Sequence, residues 1–125
     1  MERVTGIGGV FWKSKDPKAL QAWYAERLGV PASDGFMIFE WEDPTHPARK
    51  GQTVLAPFPA DTKYFEPSTA PFMINFRVRD LDAMLAQLRA AGVRVDDKIE
   101  ESELGRFGWA IDPDGNRIEL WQPPA

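Results

Sequence analysis

The sequence predicts an α+β protein in which two tandem β-α-β-β-β modules form curved mixed sheets around a cleft, with the helices on the outer face. Its 125 residues, 43% of them hydrophobic and 27% charged, suit one domain with one core. Stretches with the two-residue period of a strand alternate with stretches of helical spacing. The second half of the chain then repeats the order of the first. We therefore assign residues 1–125 to a single domain.

The first module begins with a strand over residues 6–14. Asp16 followed by Pro17 combines a capping residue with a first-turn proline and starts a helix. The helix runs to Leu28, and Gly29 ends it because glycine readily adopts the left-handed conformation of a helix stop. Large apolar residues recur at spacings of three and four and predict a stripe that packs on a sheet: Leu20, Trp23, Tyr24 and Leu28.

Strands over residues 36–41 and 53–56 complete the first module, which spans about residues 6–60. The loop between these strands contains the single histidine of the chain, His46, for which we predict no role. A proline-rich connector over about residues 57–71 leads to the second module.

The second module spans about residues 72–122 and begins with a strand over residues 72–78, where apolar and polar side chains alternate. Asp80 caps a second helix that ends at Gly92, with an apolar stripe made of Leu81, Met84, Leu85 and Leu88. Three strands follow, over residues 98–103, 106–111 and 117–121. The sequence DPDGN, residues 112–116, is a strong turn signal between the last two.

A single offset of 64 residues superposes the two modules. It aligns the following pairs: Val10 with Ile74, Trp12 with Phe76, Asp16 with Asp80, Gly51 with Gly115, and Val54 with Ile118. The helix stops Gly29 and Gly92 align at 63, one deletion away. Because strand, cap, helix stop and final strand agree together, we interpret the pattern as a structural repeat.

Composition excludes several classes of function. Fifteen basic and 19 acidic residues give a net charge of −4, which is unsuited to binding nucleic acid or an anionic membrane. The chain has no cysteine, so thiolate catalysis and cysteine-bound zinc are excluded. The longest stretch without Asp, Glu, Lys or Arg has 10 residues, too short to cross a bilayer. We expect a cytoplasmic protein.

The two modules, the helix ending Leu28-Gly29-Val30 and the closing sequence DPDGNRIEL (residues 112–120) resemble the vicinal oxygen chelate superfamily. This superfamily includes glyoxalase I, extradiol dioxygenases, fosfomycin-resistance enzymes and bleomycin-resistance proteins. The resemblance covers residues 6–122 and is specific for the fold, whereas one fold supports many reactions.

In metal-dependent members, the resemblance implies a divalent ion held by His, Gln or Glu from the first and last strands of each module. The matching first-strand positions, seven residues before each helix cap, are Gly9 and Met73. The matching last-strand positions are Glu119 and, at the same offset of 64, Leu55. Only Glu119 carries a metal-binding side chain, and a catalytic divalent ion needs several N or O ligands. We therefore predict no metal and no other cofactor.

Strand alternation extends the predicted lining of the cleft. If Gly9 and Met73 face it, so do Phe11, Lys13, Asn75 and Arg77. Lys13 and Arg77 are 64 residues apart, so the repeat places two cations at equivalent positions. The apolar wall would come from Phe11, Leu55, Met73 and Trp121. A small, partly planar ligand with an anionic or strongly hydrogen-bonding group fits this mixture. Alternatively, the cations lie at the rim and pair with Glu119 or are solvated.

Three functional classes remain. The first, which we prefer, is metal-free binding of a small molecule in the cleft, as the resemblance to bleomycin-resistance proteins implies. The alternative is a metal-dependent lyase, isomerase or dioxygenase. The third is a metal-free isomerase or lyase with Glu119, the candidate catalytic residue, as general base. Glu119 is also interpretable as a structural carboxylate satisfied by a neighbouring arginine or backbone donor.

The superfamily resemblance also implies a homodimer, since members of this length usually pair and two-fold dimers are the commonest assembly. The sequence leaves open whether the modules pair within one chain or across two, and it does not identify the ligand.

Overall fold

The computed structural model describes residues 1–33, 36–44, 48 and 50–125. Within these residues, the order β-α-β-β-β occurs over residues 4–59 and again over residues 72–122. The bounds are β1 Val4–Ser14, α1 Pro17–Leu28, β2 Ala32–Ser33, β3 Phe36–Glu42, β4 Lys50–Pro59, β5 Phe72–Val78, α2 Leu81–Ala90, β6 Glu100–Ser102, β7 Gly105–Ile111 and β8 Arg117–Gln122. Neither described helix has the length and apolarity needed to cross a membrane.

The eight strands form one mixed sheet in the order β2-β3-β4-β1-β5-β8-β7-β6. At its centre, β1 pairs in parallel with β4 and antiparallel with β5. The two halves of the chain therefore join within one subunit. Their strands form one continuous mixed sheet, which agrees with the predicted α+β class with mixed strands.

Both helices cover the same face of this sheet. In α2, Leu81, Met84 and Leu85 are buried against Val78 and Leu120, and they form the main core cluster. On α1, the Tyr24 ring meets the Trp12 ring of β1 edge-on, with centroids 5.9 Å apart. Side chains alternate along a strand, so the residues next to Trp12 and Leu120, namely Phe11 and Glu119, point to the opposite, concave face.

The helix α1 begins and ends where predicted. The Asp16 side chain accepts a hydrogen bond from the Ala19 N–H, and Gly29 adopts φ 66°. Its apolar stripe, however, is not packed as expected, because no residue of α1 is fully buried. Trp23 is 50% exposed and its ring meets Tyr24 edge-on, and Leu28 in the last turn is 61% exposed.

Strand β4 is longer than predicted and takes in Pro57 and Pro59, which we had assigned to the connector. The neighbouring strand β3 pairs with β4 only as far as Leu55. Beyond that point β4 has a partner on one side only, β1. Prolines are tolerated there because no second neighbour requires their missing N–H groups.

Candidate functional site

A cleft of about 260 Å³ lies on the concave face. One wall comes from β3 and β4 and consists of Phe36, Ile38, Val54, Ala56 and Phe58. The opposite wall comes from β7, β8 and the turn before β7, with Phe107, Trp121 and Leu104. Because strands near both edges of the sheet line the same space, the sheet must curve around it. The cleft is therefore largely apolar and aromatic.

Glu119 on β8 lies at the floor of this cleft and is only 2% exposed. Three side chains donate hydrogen bonds to its carboxylate. The Asn75 amide donates to Oε1 at 2.6 Å, the Trp109 indole donates to Oε2 at 2.9 Å, and the Tyr64 hydroxyl donates to Oε2 as well. We call these four residues the Glu119 network.

Burial raises the pKa of the Glu119 carboxyl, because removal from water penalises its charged form. The hydrogen bonds from Tyr64, Asn75 and Trp109 and the charge of Arg117 act in the opposite direction, and burial has the larger effect. Burial also raises the pKa of the Tyr64 hydroxyl, and the neighbouring Glu119 adds to that increase. Tyr64 therefore keeps its proton and acts as a donor.

Tyr64 belongs to the connector between β4 and β5, and several contacts hold it in place. Its ring stacks on Phe58 with centroids 5.6 Å apart, and its neighbour Phe65 is 1% exposed. The Arg117 guanidinium donates to the Tyr64 carbonyl and lies 4.8 Å from the centroid of the Trp109 ring. The connector is therefore packed against the second module and contributes to the cleft.

Four of the eight residues that we predicted to bind a ligand line the cleft: Phe11, Asn75, Glu119 and Trp121. Met73 points to the same face of β5 but does not line the cleft. It is fully buried in a cluster with Phe65 and Trp109.

Leu55 was predicted to line the cleft, and the structure corrects this. Its neighbours Val54 and Ala56 line the cleft, so Leu55 points to the helix-covered face. The reason is a difference in register. Glu119 pairs with Asn75, 44 residues earlier (119 − 75), whereas Val54 pairs with Gly9, 45 residues earlier (54 − 9). A shift of one residue moves a side chain to the other face of a sheet.

Lys13 and Arg77 do not line the cleft and do not lie together. Because β1 and β5 run antiparallel, Lys13 lies near the start of β5, whereas Arg77 pairs with Gly6 near the start of β1. Arg77 is 7% exposed, and its guanidinium forms an ion pair with Asp43 at 3.3 Å. It also lies between two indoles, 5.2 Å from the Trp41 centroid and 5.8 Å from the Trp121 centroid. Arg77 is therefore neither a cation that binds a ligand in the cleft nor a solvated residue at its rim.

Sequence reasoning missed Tyr64 and most of the wall of β3 and β4. Phe36 and Ile38 alternate with the buried Met37, a pattern from which their shared face could have been inferred. For Tyr64, the available signal was the adjacent pair Tyr64-Phe65 in a proline-rich connector, since exposed loops seldom carry two large aromatic residues in a row.

The side chains do not fit the divalent ion that the superfamily resemblance implies. Glu119 already accepts hydrogen bonds on both oxygens, and the residues paired across from it on β5, β1 and β4 are Asn75, Gly9 and Val54. In the described part of the chain, no three His, Cys, Asp or Glu side chains come together to hold a metal ion. His46 lies outside the described residues.

Comparison with known proteins agrees with this architecture. A family model described as a glyoxalase-like domain matches residues 9–121. No curated protein matches the chain significantly. Methylmalonyl-CoA epimerase from Mycobacterium tuberculosis is similar at 26% identity and a TM-score of 0.63, over 98% of this chain and 90% of that one.

Two further structures share the fold at lower identity. A variant of methylmalonyl-CoA epimerase from Streptomyces coelicolor, in complex with 2-nitronate-propionyl-CoA, has a TM-score of 0.70 at 22% identity, over 98% of this chain and all of that one (100%). A glyoxalase/bleomycin resistance protein/dioxygenase superfamily member from Vibrio splendidus 12B01 has a TM-score of 0.58 at 14% identity, over 98% of this chain and 99% of that one.

The raised pKa of Glu119 predicts a specific dependence of stability on pH. The ordinary pKa of a glutamate side chain is 4.5. A carboxyl with a higher pKa in the folded state contributes its full stabilisation when the pH is below 4.5. This contribution is lost as the pH rises through the folded-state pKa. Glu119→Gln has no proton to lose. The amide oxygen of the introduced glutamine can accept hydrogen bonds from Tyr64 and Trp109. Its NH₂ group can donate to Asn75 once the Asn75 amide rotates to present its oxygen. We expect the midpoint of thermal unfolding to vary less with pH across this range in the variant than in the wild type.

The matched control is Glu103→Gln, at an exposed position outside the cleft. This variant should keep the pH dependence of the wild type. If Glu119→Gln and the wild type show the same pH dependence, the carboxyl does not have the raised pKa.

Proposed function

Because the chain belongs to the glyoxalase-like family of the vicinal oxygen chelate superfamily, we propose that it binds a small, largely apolar and partly planar molecule in its cleft, without a metal ion. The observation that carries this proposal is the lining of the cleft, where aromatic and aliphatic walls surround one buried polar centre. Small-molecule sites commonly combine an apolar lining with a few placed polar groups.

The arrangement of rings favours a planar ligand. Phe58 and Tyr64 stack with an interplanar angle of 12°, and Phe107 and Trp121 stack with an angle of 2°. All four rings line the cleft. Flat aromatic surfaces of this kind suit a flat partner, because offset stacking gives large contact at short range.

The charges of the site favour a neutral ligand. The two cations expected to hold an anion, Lys13 and Arg77, do not line the cleft, and the charge of Arg77 is matched by Asp43. The acidic group that does line the cleft is Glu119, whose oxygens already accept three hydrogen bonds and supply no positive charge for an anion. We therefore retain the aromatic part of the sequence-based expectation and set aside the anionic part.

A second candidate function is metal-free isomerisation with Glu119 as the proton-transferring group. One observation favours it, since a carboxyl at the floor of a cleft with a pKa raised by burial is typical of general acids and bases. Similar proteins include epimerases, which are isomerases. The three hydrogen bonds to Glu119 count against it, because a general base needs an oxygen that can reach the substrate proton.

We also propose a homodimer. Outside the cleft, the described surface exposes several large apolar side chains on α1 and β3, among them Trp23, Leu28 and Phe39. Apolar surface of this kind is typical of interfaces.

The binding proposal predicts that filling the cleft abolishes binding. Neutral planar aromatic compounds, screened by thermal shift and by quenching of tryptophan fluorescence, should give saturable binding to the wild type. Ala56→Trp places an indole in the cleft and should abolish it, whereas the control Ala22→Trp, at an exposed position on α1, should leave it unchanged. Binding that survives Ala56→Trp would refute the proposed site. Turnover of a bound compound, lost in Glu119→Gln, would favour the second candidate.

The metal-free proposal predicts that divalent ions do not stabilise the fold. A ligand that binds only the native state raises stability by RT ln(1 + [L]/Kd), about 2.7 kcal/mol at a hundredfold excess over Kd. We expect no saturable rise in the unfolding midpoint with Ni, Zn, Mn, Fe(II) or Mg. A saturable rise that Glu119→Gln removes would contradict the proposal.

The homodimer proposal predicts a mass of twice the 14.1 kDa of one chain in multi-angle light scattering at micromolar concentration. Replacing Trp23 by a charged residue should shift the mass toward that of one chain if α1 contributes to the interface. A wild-type protein that elutes with the mass of a single chain would refute the dimer.

A further inference from the structure

We propose that Asn75 determines ligand specificity, in that its amide oxygen accepts a hydrogen bond from an N–H or O–H group at the inner end of the ligand. The cleft would then select neutral planar molecules that carry a donor. This inference rests on the proposed binding function and names the chemistry that the ligand must present.

The first step is an unpartnered acceptor. Asn75 is 2% exposed, and within the part of the chain that the structure describes its Oδ1 has no hydrogen-bond partner. Buried polar side-chain atoms are nearly always paired in folded proteins, so an unpaired one in a cleft indicates where a ligand group is accommodated. Arg77 Nε is also unpaired, but Arg77 does not line the cleft.

The second step is the orientation of the amide. Asn75 Nδ2 donates to the Glu119 carboxylate at 2.6 Å, and a carboxylate accepts but does not donate when ionised. The NH₂ end of the amide faces Glu119, and the oxygen faces away from it. The carboxylate also polarises the amide and strengthens Oδ1 as an acceptor.

The third step is the position of the oxygen. Gly8 and Asn75 both line the cleft, and a Cβ atom built on Gly8 would lie 2.2 Å from Asn75 Oδ1. It would also lie 2.8 Å from Cε3 of Trp121. The oxygen therefore occupies the space that a side chain at residue 8 would fill, at the floor of the cleft beside the Trp121 ring.

The fourth step is whether the floor of the cleft prefers a hydrogen-bond donor or an acceptor on the ligand. The two polar groups at the floor, Asn75 Oδ1 and the Glu119 carboxylate, are both acceptors. A ligand whose inner end carries an acceptor or a negative charge would leave Asn75 Oδ1 unpaired. A ligand with a donor would instead complete the hydrogen bonding of Asn75.

The test uses three probes with one aromatic skeleton: naphthol, which carries a donor, methoxynaphthalene, in which a methyl group replaces that proton, and naphthoate, which is an anion. Titration calorimetry on the wild type should show naphthol binding about tenfold tighter than methoxynaphthalene, the effect of one hydrogen bond. Naphthoate should bind more weakly than naphthol.

Two variants locate the effect. Asn75→Leu has a similar shape without the acceptor and should remove the difference between naphthol and methoxynaphthalene. Leu104→Ala, at the mouth of the cleft, should weaken both probes by the same factor and preserve their ratio. If Asn75→Leu does not fold, the comparison of probes on the wild type still decides the question.

The outcomes separate the inference from the function. Equal affinity of naphthol and methoxynaphthalene, or tightest binding of naphthoate, would overturn the role of Asn75 and leave the cleft as a binding site. A difference that persists in Asn75→Leu would overturn the role as well. Failure of all three probes to bind would overturn both proposals.

Discussion

A carboxylate removed from water is stable only when hydrogen-bond donors surround it, and Glu119 takes its donors from three separate parts of the chain. Asn75 comes from β5, Trp109 from β7 and Tyr64 from the connector. Through Tyr64, this one side chain helps to fix the position of the connector. The orientation of the Asn75 amide and the inward position of the Tyr64 hydroxyl both serve to satisfy this carboxylate.

The bounds of a helix or strand were predictable from the sequence where neighbouring residues alone determine them. The helix α1 (Pro17–Leu28) and the strand β5 (Phe72–Val78) have the predicted bounds, because capping residues, a glycine stop and strict alternation mark them. The burial of α1 was not predictable in this way. A stripe at helical spacing shows which side chains share a face, but whether Trp23 reaches the sheet depends on how the helix sits on Tyr24 and Trp12.

The site was predictable where strand parity alone decides and unpredictable where pairing between strands decides. Parity placed Phe11, Asn75, Glu119 and Trp121 on the cleft face. The misplacement of Leu55 came from a register difference between β1–β4 and β5–β8, which only the pairing of strands reveals. The separation of Lys13 from Arg77 came from the antiparallel pairing of β1 with β5 in the same way.

The central place of β1 in the sheet also constrains how the protein reaches its fold. Its two neighbours are β4, which ends at Pro59, and β5, which lies a further 13 residues along the chain (72 − 59). The strand β1 ends at Ser14 and its first partner in sequence, β4, begins at Lys50, so β1 has no sheet partner until the chain extends 36 residues further (50 − 14). Pairing of segments so distant in sequence slows folding, because the loop between them must close before any contact compensates for its lost entropy. Until β4 joins it, the apolar side chains of β1 are open to association with other chains.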